Sequence, residues 1–386
     1  MSVSPARRAA FETVRRVFED DAYADRAFRS AADGIDLRDR ALAQRLAYGT
    51  IQRVRTLDHG IEELGGRPVA KLDAPVRAAL RLGAYQLAFS EVAVHAAVNE
   101  TVELVRAAGL ERAVKFANAV MRRLTLGLRE LVEALPESTP EEAARRHSYP
   151  DWVAEVWWRD LGADGARDLM RAQNEPPERV LREPAGGLKE PWPQSRGSQL
   201  AGNAVGAQPG ERVLDLCAAP GGKATQLAAA GAEVIAVEKH PGRARELEEN
   251  AARLGAALTV VNADALELPV ELNGFDRVLV DAPCSGLGVL NSRPDLRWRA
   301  RPLPELQLDL MRVAAERTRP GGSITYSVCT IVRAENEDVV DALQLPVEDL
   351  GAAFPEFRHP RRSKFLLTLP QVHATSGFFV ARLRRP

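Results

Sequence analysis

The sequence of 386 residues is long enough for two or three domains at roughly 150 residues each. Hydrophobic residues make up 45% of the chain and charged residues 27%, a balance that excludes a mainly disordered or fibrous protein. The 52 basic and 53 acidic residues nearly cancel, so the chain as a whole is not an overtly basic nucleic-acid binder. No apolar run reaches the about 18 residues of a membrane helix, and three cysteines are too few for a disulfide framework. We therefore expect a cytoplasmic protein with no membrane partner.

The first 130 or so residues have the spacing of helices. Apolar residues recur at intervals of three and four, as in Val98, Val102 and Val105, and strand-like alternation is nearly absent. Pro75 lies where a proline suits the first turn of a helix. This pattern predicts an all-α domain over residues 1–135.

A change of pattern follows. Residues 136–210 contain clusters of Pro and Gly and are interpreted as a linker and the start of a catalytic region. Beyond Gly210, strands alternate with helices, which predicts a parallel sheet covered on both faces and hence a Rossmann-like α/β domain over residues 211–386. The predicted strands cover residues 212–215, 233–238, 258–261, 277–280, 323–326 and 378–383, with the last at an inner or edge position.

A Gly-rich turn follows the first of these strands. It consists of Cys217, Ala218, Ala219, Pro220, Gly221, Gly222 and Lys223. Ligands of doubly wound sheets bind beyond the carboxyl ends of the strands, where Glu238, Asp264 and Asp281 each close a later strand. Glu238 can accept hydrogen bonds from both hydroxyls of a ribose, and Asp264 can approach an adenine ring. The turn matches neither the dinucleotide fingerprint nor a triphosphate loop, so we predict a nucleoside cofactor without phosphates, S-adenosylmethionine (AdoMet).

Two cysteines also follow strands. Cys284 and Cys329 come after the fourth and fifth predicted strands, and neighbouring strands lie about 4.8 Å apart. If these strands are adjacent, both thiols lie with Asp281 at the cofactor end of the sheet. Methylation of a pyrimidine at C5 needs a thiolate that adds to C6 and makes C5 nucleophilic. One thiol then acts as nucleophile and the other helps to release the product, while a protonated Asp281 can donate to cytosine N3. Cys217, inside the turn, is interpreted as a buried lining residue.

These motifs resemble those of the RNA 5-methylcytosine methyltransferases and, within them, the RsmB/Sun family of ribosomal RNA small subunit methyltransferases. In the second half the matching segments are residues 215–223, 281–288, 293–298, 326–330 and 376–379. In the first half, residues 48–50, 80–87, 97–103 and 116–123 resemble the helical RNA-binding domain of the antitermination factor NusB. The combination distinguishes this family from related transfer-RNA and eukaryotic enzymes.

The resemblance implies AdoMet-dependent methylation of a cytosine C5 in 16S ribosomal RNA, either free or in a pre-30S particle, by a monomeric enzyme. It implies that Cys329 is the nucleophile and that Cys284 assists product release. It also implies that residues 217–223, with Glu238, Asp264 and Asp281, contact AdoMet. No histidine has metal-ligand spacing with a cysteine, so no metal is expected.

Three arginines in or near these motifs are the expected RNA contacts. Arg243 follows the second strand, and Arg293 and Arg297 come after Cys284 in the chain, where their charges suit backbone phosphates. Residues 358–364 form a further basic cluster, for which a solvated surface is the alternative interpretation. The chain departs from the family at Val328 and Ser376, where Thr and Asp are usual, and its 174–210 segment is shorter than the usual insert.

Three alternatives remain open. The first is the same chemistry on transfer RNA. The second is a non-catalytic NusB-like RNA-binding or ribosome assembly factor with a methyltransferase scaffold, although the cysteine pair and the acidic strand ends argue against it. The third is a small-molecule methyltransferase, which would need neither the helical domain nor the basic cluster.

Overall fold

The computed structural model describes residues 3–386, which divide into two units. The first contains the residues up to Asn174 together with Leu290–Arg299, and the second contains Glu175–Val289 and Ala300–Pro386. The division after Asn174 lies inside residues 136–210, the segment predicted to hold the linker. Nothing in the sequence pattern indicated that Leu290–Arg299 would belong to the first unit.

The first unit is helical, as its apolar spacing predicts. Its helices are α1 (Pro5–Glu19), α2 (Ala24–Ala31), α3 (Leu37–Gly65), α4 (Ala74–Phe89), α5 (Val94–Ala107), α6 (Glu111–Ala134), α7 (Pro140–His147) and α8 (Asp151–Ala172). Asp36 begins α3 by accepting from the Asp39 backbone N–H, and Gly66, with φ of 72°, ends it. Pro75 lies in the first turn of α4, which confirms that prediction. Val105 is fully buried in the core of the unit.

The second unit is a mixed α/β domain. Its strands are β1 (Leu181–Arg182), β2 (Trp192–Pro193), β3 (Arg212–Asp215), β4 (Glu233–Val237), β5 (Leu258–Val261), β6 (Phe275–Asp281), β7 (Thr318–Val328), β8 (Leu366–Thr368) and β9 (Phe378–Arg384). The later helices of the chain are α9 (Arg196–Val205), α10 (Gly222–Ala229), α11 (Pro241–Leu254), α12 (Leu296–Arg299), α13 (Pro304–Arg317), α14 (Glu337–Leu343), α15 (Leu350–Ala353) and α16 (Pro370–His373), of which α12 belongs to the first unit.

Seven strands form the main sheet, in the order β5-β4-β3-β6-β7-β9-β8. Strands β3 to β7 are parallel, but β9 is antiparallel to β7 and β8 is antiparallel to β9. The prediction of six strands is confirmed, whereas the expectation of a wholly parallel sheet was wrong for its last two members. Residues 369–377, which include α16, connect β8 to β9 and return the chain at the same end of the sheet, as antiparallel pairing allows.

Three elements escaped the sequence prediction. They are the β1–β2 hairpin, α9 and the edge strand β8. Strands β1 and β2 have two residues each and β8 has three. These lengths are too short to show the alternation of apolar and polar residues that marks a strand in a sequence. Helix α9 contains five Gly, Ala or Ser residues among its ten, so few large apolar side chains mark its buried face in the sequence.

The register of β6 and β7 places the site. Asp281 pairs with Ser327, and the Ala282 N–H donates to the Ser327 carbonyl at 3.0 Å. Because parallel strands share one carboxyl edge, the chains that leave β6 and β7 begin side by side. Cys284 lies three residues beyond that register pair on one chain, and Cys329 lies two beyond it on the other.

Candidate active site

Two thiols meet beyond the ends of β6 and β7. The Sγ atoms of Cys284 and Cys329 are 3.4 Å apart, and both side chains are half-buried. The Gly288 N–H donates to the Cys329 carbonyl at 2.9 Å, which joins the two loops directly. A Cβ at Gly288 would lie 2.0 Å from the Gly377 carbonyl oxygen, so only glycine permits this approach. The adjacency of the fourth and fifth predicted strands is confirmed, and with it the meeting of the cysteines.

The two thiols differ in acidity. A hydrogen bond from Cys284 lowers the pKa of Cys329, and the same bond raises the pKa of Cys284. The positive charge of Lys223 also lowers the pKa of Cys329, whereas burial and the charge of Asp281 oppose the change. A thiolate is the reactive form of cysteine. Cys329 is therefore the thiol that ionises first, with Cys284 as the proton donor beside it.

Asp281 is held from two sides. Its Oδ2 lies 2.7 Å from the Lys223 Nζ, and its Oδ1 accepts from the Ser327 hydroxyl at 2.5 Å. Lys223 projects from the first turn of α10 and is nearly buried, with its Nζ 5.0 Å from the centre of the Phe378 ring. These two contacts fix the orientation of the Asp281 side chain beside the cysteine pair.

The Gly-rich turn after β3 is tightly folded. The Ala218 N–H donates to the Val237 carbonyl at 2.9 Å, and the Gly221 N–H donates to the Ala218 carbonyl at 2.8 Å. Gly221 has a φ of 108°, which side chains other than that of glycine rarely permit. It is the residue before α10, so the turn leads into the free N–H groups of a helix start.

Two ionisable groups lie at the start of this turn, the buried Asp215 at the end of β3 and the half-buried Cys217. Burial and the neighbouring Asp281 raise the pKa of Asp215 to about 7. Burial and the charge of Asp215 raise the pKa of the Cys217 thiol. The Cys217 N–H donates to an Asp215 carboxylate oxygen at 3.3 Å. A thiol with a raised pKa is a poor nucleophile, which supports the interpretation of Cys217 as a lining residue.

Acidic residues follow the next two strands. The buried Glu238 follows β4 and accepts from the His240 N–H at 2.8 Å. Asp264 follows β5 and lies 2.6 Å from the Lys239 Nζ, whose hydrogen bond lowers the pKa of Asp264. Together with the Asp281 carboxylate, these groups lie at the carboxyl ends of three strands of one sheet. That is the edge where doubly wound sheets bind nucleosides.

Arg243 belongs to this cofactor-side group. Its guanidinium donates to the Ala219 carbonyl at 2.9 Å and lies 3.5 Å from a carboxylate oxygen of Glu238. The side chain thus connects the Gly-rich turn to the acidic residue after β4. Its expected contact with RNA stays a prediction.

Arg297 corrects the sequence analysis. Its side chain is completely buried in the first unit and donates to the carbonyls of Gln52 and Ser148 at 2.9 and 3.0 Å. It also donates to the Asn174 side chain at 2.9 Å and lies 3.8 Å from the centre of the Tyr149 ring. A group so enclosed has no surface to offer a phosphate, so the assignment of Arg297 as an RNA contact was wrong.

Arg293 differs from its neighbour in the same segment. Its side chain is 40% exposed and lies 3.9 Å from the Asp25 carboxylate. It remains a predicted RNA contact. The 358–364 cluster is less available than its sequence suggests, because His359 is buried against Glu337 at 3.0 Å and Arg362 pairs with Asp341 at 2.7 Å.

The structure adds residues that the motifs did not indicate. Buried Arg182, in the β1–β2 hairpin, donates to the Gly222 carbonyl and, at 2.9 Å, to the Thr225 hydroxyl, so it supports the start of α10. Buried Glu335 accepts from the Ser285 N–H at 2.9 Å, one residue after Cys284. Arg182 ends the two-residue β1 and Glu335 ends a 3-10 turn, and only their burial distinguishes them from ordinary surface charges.

Two further features are absent from residues 3–386. No three His, Cys, Asp or Glu side chains of that range are grouped as a metal site would require. No helix of the same range combines the length and the apolar character needed to cross a membrane.

Comparisons with known proteins agree with this geometry. Residues 203–384 match the family model described as 16S rRNA methyltransferase RsmB/F, and residues 4–125 match the NusB family. A probable ribosomal RNA small subunit methyltransferase B of Synechocystis is 31% identical over 98% of this chain and 99% of its own. A putative methyltransferase of Mycobacterium tuberculosis is 34% identical over 99% and 97%. The crystal structure of PH0851 has a TM-score of 0.78 and 23% identity over 99% of both chains, a likeness of fold.

The two sequence alignments are longer than the chain itself. They extend over 445 and 451 residues, whereas the chain has 386, so the relatives contain residues without a counterpart here.

Proposed function

Since the chain belongs to the RsmB/F family of ribosomal RNA methyltransferases, we propose that it methylates C5 of a cytosine in 16S ribosomal RNA with AdoMet as cofactor. The observation that carries this proposal is the 3.4 Å contact between Cys284 and Cys329 beside an ion-paired Asp281. A methyltransferase that modifies a nitrogen or an oxygen needs no thiol, because those atoms carry lone pairs. A pyrimidine carbon needs covalent activation.

The residues around the Gly-rich turn fit AdoMet. The buried Glu238 carboxylate has one short backbone donor, the His240 N–H, and so retains acceptor capacity for ribose hydroxyls. The acidic side chains of Asp215 and Asp281 lie at the same strand ends, where a sulfonium cation would favour ionisation of Asp215, whose pKa is raised to about 7. We assign residues 217–223, Glu238, Asp264 and Asp281 to the cofactor. AdoMet, when bound, supplies the electrophilic methyl group.

The protein's own contribution begins with Cys329. Its thiolate, stabilised by the Cys284 hydrogen bond and the Lys223 charge, adds to C6 of the cytosine. The C6–S bond forms as the C5–C6 double bond opens, and C5 becomes the nucleophile. After methylation, loss of the C5 proton and cleavage of the C6–S bond restore the aromatic ring. Cys284 lies beside the sulfur that departs and is the nearest group to assist this release.

Asp281 would orient the base. As a carboxylate it accepts a hydrogen bond from the cytosine N4 amine, and after gaining a proton it donates to N3. The Lys223 ammonium, 2.7 Å from Oδ2, keeps that charge in place until the base enters. The target base must leave its stack to reach such a site. Arg243 and Arg293 are the proposed phosphate contacts.

The test is methyl transfer from labelled AdoMet to deproteinised 16S ribosomal RNA, assembled 30S particles and transfer RNA. The wild type is compared with Cys329→Ala and Cys284→Ala, and the products are run on denaturing gels. We expect 5-methylcytosine with the wild type, no transfer with Cys329→Ala, and a protein–RNA adduct that survives denaturation with Cys284→Ala.

Other outcomes would redirect the proposal. Transfer to transfer RNA alone would keep the chemistry and change the substrate. Transfer by Cys329→Ala at the wild-type rate would remove the nucleophile assignment. No transfer to any RNA by the wild type would favour a non-catalytic RNA-binding factor.

A further inference from the structure

Glu335 is a buried carboxylate with only neutral partners. It ends a 3-10 turn, Arg333–Glu335, six residues after Cys329, and it has no solvent exposure. Its partners are Ser285, Leu303 and Gln307. A buried charge without an opposite charge is expensive unless hydrogen bonds surround it. The position of those bonds therefore shows which segments the side chain holds together.

Four donors converge on this carboxylate. Its Oε1 accepts from the Ser285 N–H at 2.9 Å, the Leu303 N–H at 3.1 Å and the Gln307 amide at 3.0 Å. Its Oε2 accepts from the Ser285 hydroxyl in a short bond. All four groups donate, so the carboxyl oxygens of Glu335 act here as acceptors. The Gln307 amide also donates to the Pro283 carbonyl at 2.9 Å, so the residues on both sides of Cys284 are held.

The same network reaches the other cysteine. The Ser285 Oγ lies 2.9 Å from the Oγ1 of Thr330, the residue after Cys329. Since the Ser285 hydrogen points to Glu335, the Thr330 hydroxyl must be the donor in this contact. A directed chain of hydroxyls thus leads from the Cys329 loop through Ser285 to the carboxylate. Tyr326, at the end of β7, also donates to the Glu335 carbonyl at 2.6 Å.

We propose that Glu335 is a positioning residue for the cysteine pair: its carboxylate holds the Cys284 loop and the Cys329 loop at the separation that lets Cys284 donate to Cys329. The catalytic part of this inference rests on the proposed function. The geometric part concerns only the two thiols. Glu335 is enclosed and touches no solvent, so it acts through the loops and not on a substrate.

The charge of Glu335 has a second effect. The groups that act on Cys329 are Cys284, Lys223, Asp281 and Glu335; the first two lower its pKa, whereas the two carboxylates raise it. Glu335 also raises the pKa of Cys284. A negative charge beside both sulfurs opposes the loss of a second proton from the pair. Cys284 therefore stays a thiol and a donor after Cys329 has ionised.

Two substitutions separate position from charge. Glu335→Gln keeps a carbonyl oxygen for the three N–H donors, and its amide can donate to Ser285 while the Ser285 hydroxyl turns to Thr330. It removes the charge with little loss of geometry. Ser285→Ala keeps the charge but removes the hydroxyl link. The matched control is Glu337→Gln, because Glu337 is also buried but pairs with His359 and touches neither cysteine loop.

The readout is the rate of Cys329 alkylation by iodoacetamide as a function of pH, followed by mass spectrometry on the full chain. We expect the midpoint to fall by about 0.5–1 pH unit in Glu335→Gln, since a neighbouring negative charge is lost. We expect it to rise in Ser285→Ala, since the Cys284 donor is less well held. Glu337→Gln should keep the wild-type midpoint. Single-turnover methyl transfer should slow by on the order of tenfold or more in Ser285→Ala, which loses the link between the loops, with AdoMet affinity unchanged. Glu335→Gln, which keeps the geometry, should retain most of the wild-type rate.

The inference is overturned if Glu335→Gln and Glu337→Gln give the same alkylation profile, or if Ser285→Ala moves the midpoint downward. Should Glu335→Gln fail to fold, the Ser285→Ala midpoint decides alone. Absence of methyl transfer by the wild type on every RNA would count against the proposed function. The alkylation result would still decide the role of Glu335.

Discussion

The helical unit and the α/β unit both contain a buried charged side chain among neutral partners. In the helical unit Arg297 is enclosed by backbone carbonyls, the Asn174 side chain and the Tyr149 ring. In the α/β unit Glu335 is enclosed by N–H and O–H donors. In both cases hydrogen bonds surround the buried charged group, with acceptors around the guanidinium and donors around the carboxyl group. What differs is the neighbourhood, because only Glu335 connects two loops that each carry a cysteine.

This comparison shows that burial of a charge does not by itself mark a functional site. Arg297 joins α12 to the backbone of α3 and to the segment after α7, so its role is in folding. Glu335 joins segments next to reactive groups, so its removal should change chemistry as well as stability. Substitutions of these and other buried or paired charges test that distinction.

Replacement of Arg297 should have the largest effect on stability. Arg297→Met leaves the Gln52 and Ser148 carbonyls without a donor, and we expect a loss of about 3 kcal/mol in the free energy of unfolding of the helical unit. Urea denaturation followed by circular dichroism measures it. The control is Arg293→Met, a half-exposed neighbour whose loss should cost about 0.5 kcal/mol or less. A stable Arg297→Met protein with weakened RNA binding would show that the buried assignment is wrong.

Asp215 is a buried carboxyl group with one long hydrogen bond, from the Cys217 N–H at 3.3 Å. Its pKa is raised to about 7, whereas an unfolded aspartate titrates near 3.9. Between about pH 4 and pH 7 the folded chain therefore holds a proton that the unfolded chain has lost, so stability falls as pH rises through this window. Asp215→Asn cannot ionise, so its gain in stability over the wild type should be larger at pH 8 than at pH 5, by on the order of 2 kcal/mol.

Thermal denaturation at the two pH values, without cofactor, measures the difference. The exposed Asp33→Asn variant serves as control and should follow the wild type at both. An Asp215→Asn protein that gains as much at pH 5 as at pH 8 would rule out ionisation as the cause.

Lys223 is a buried charge that does have an opposite partner. Lys223→Met removes a charge that lowers the pKa of Cys329 and leaves the Asp281 carboxylate, which raises it, without a counter-ion. Both changes act in the same direction. We expect the midpoint of Cys329 alkylation to rise and methyl transfer at neutral pH to fall by about tenfold.

The exposed Lys364→Met substitution supplies the control for lost charge. Recovery of the Lys223→Met rate at higher pH would support the acidity effect. A defect that is independent of pH would instead assign Lys223 to cofactor binding.

The exposed pair Arg362–Asp341 sets the lower limit of the series. Its atoms are 2.7 Å apart, but both side chains are more than 40% exposed. Solvent screens such pairs, and Arg362→Ala should change stability by about 0.5 kcal/mol or less and RNA affinity little. Denaturation and RNA binding at two salt concentrations test this. A clear fall in RNA affinity, with a smaller salt slope, would return residues 358–364 to the list of RNA contacts.

The main elements of the fold were predictable because their patterns are local. The 3.6-residue period of the first half and the short apolar strands of the second appear in the sequence, and β3 and β5 have the predicted bounds. The two-residue strands β1 and β2 and the three-residue β8 were not predictable, because they are too short to show a period of two. The antiparallel direction of β9 was missed because its pairing with β7, a strand some sixty residues earlier in the chain, sets that direction.

The candidate site also contains residues that the sequence revealed and residues that it did not. The motif residues could be recognised from the sequence alone, because Asp281, Cys284 and Cys329 lie at or just after the ends of strands with clear local patterns. Arg297 is enclosed by segments more than a hundred residues away in the chain, and Glu335 contacts the Cys284 loop. These contacts exist only in the folded protein, so the sequence did not reveal that Arg297 is interior or that Glu335 holds the loops. A charged side chain looks the same in a sequence whether water or protein surrounds it, and the surroundings decide what it does.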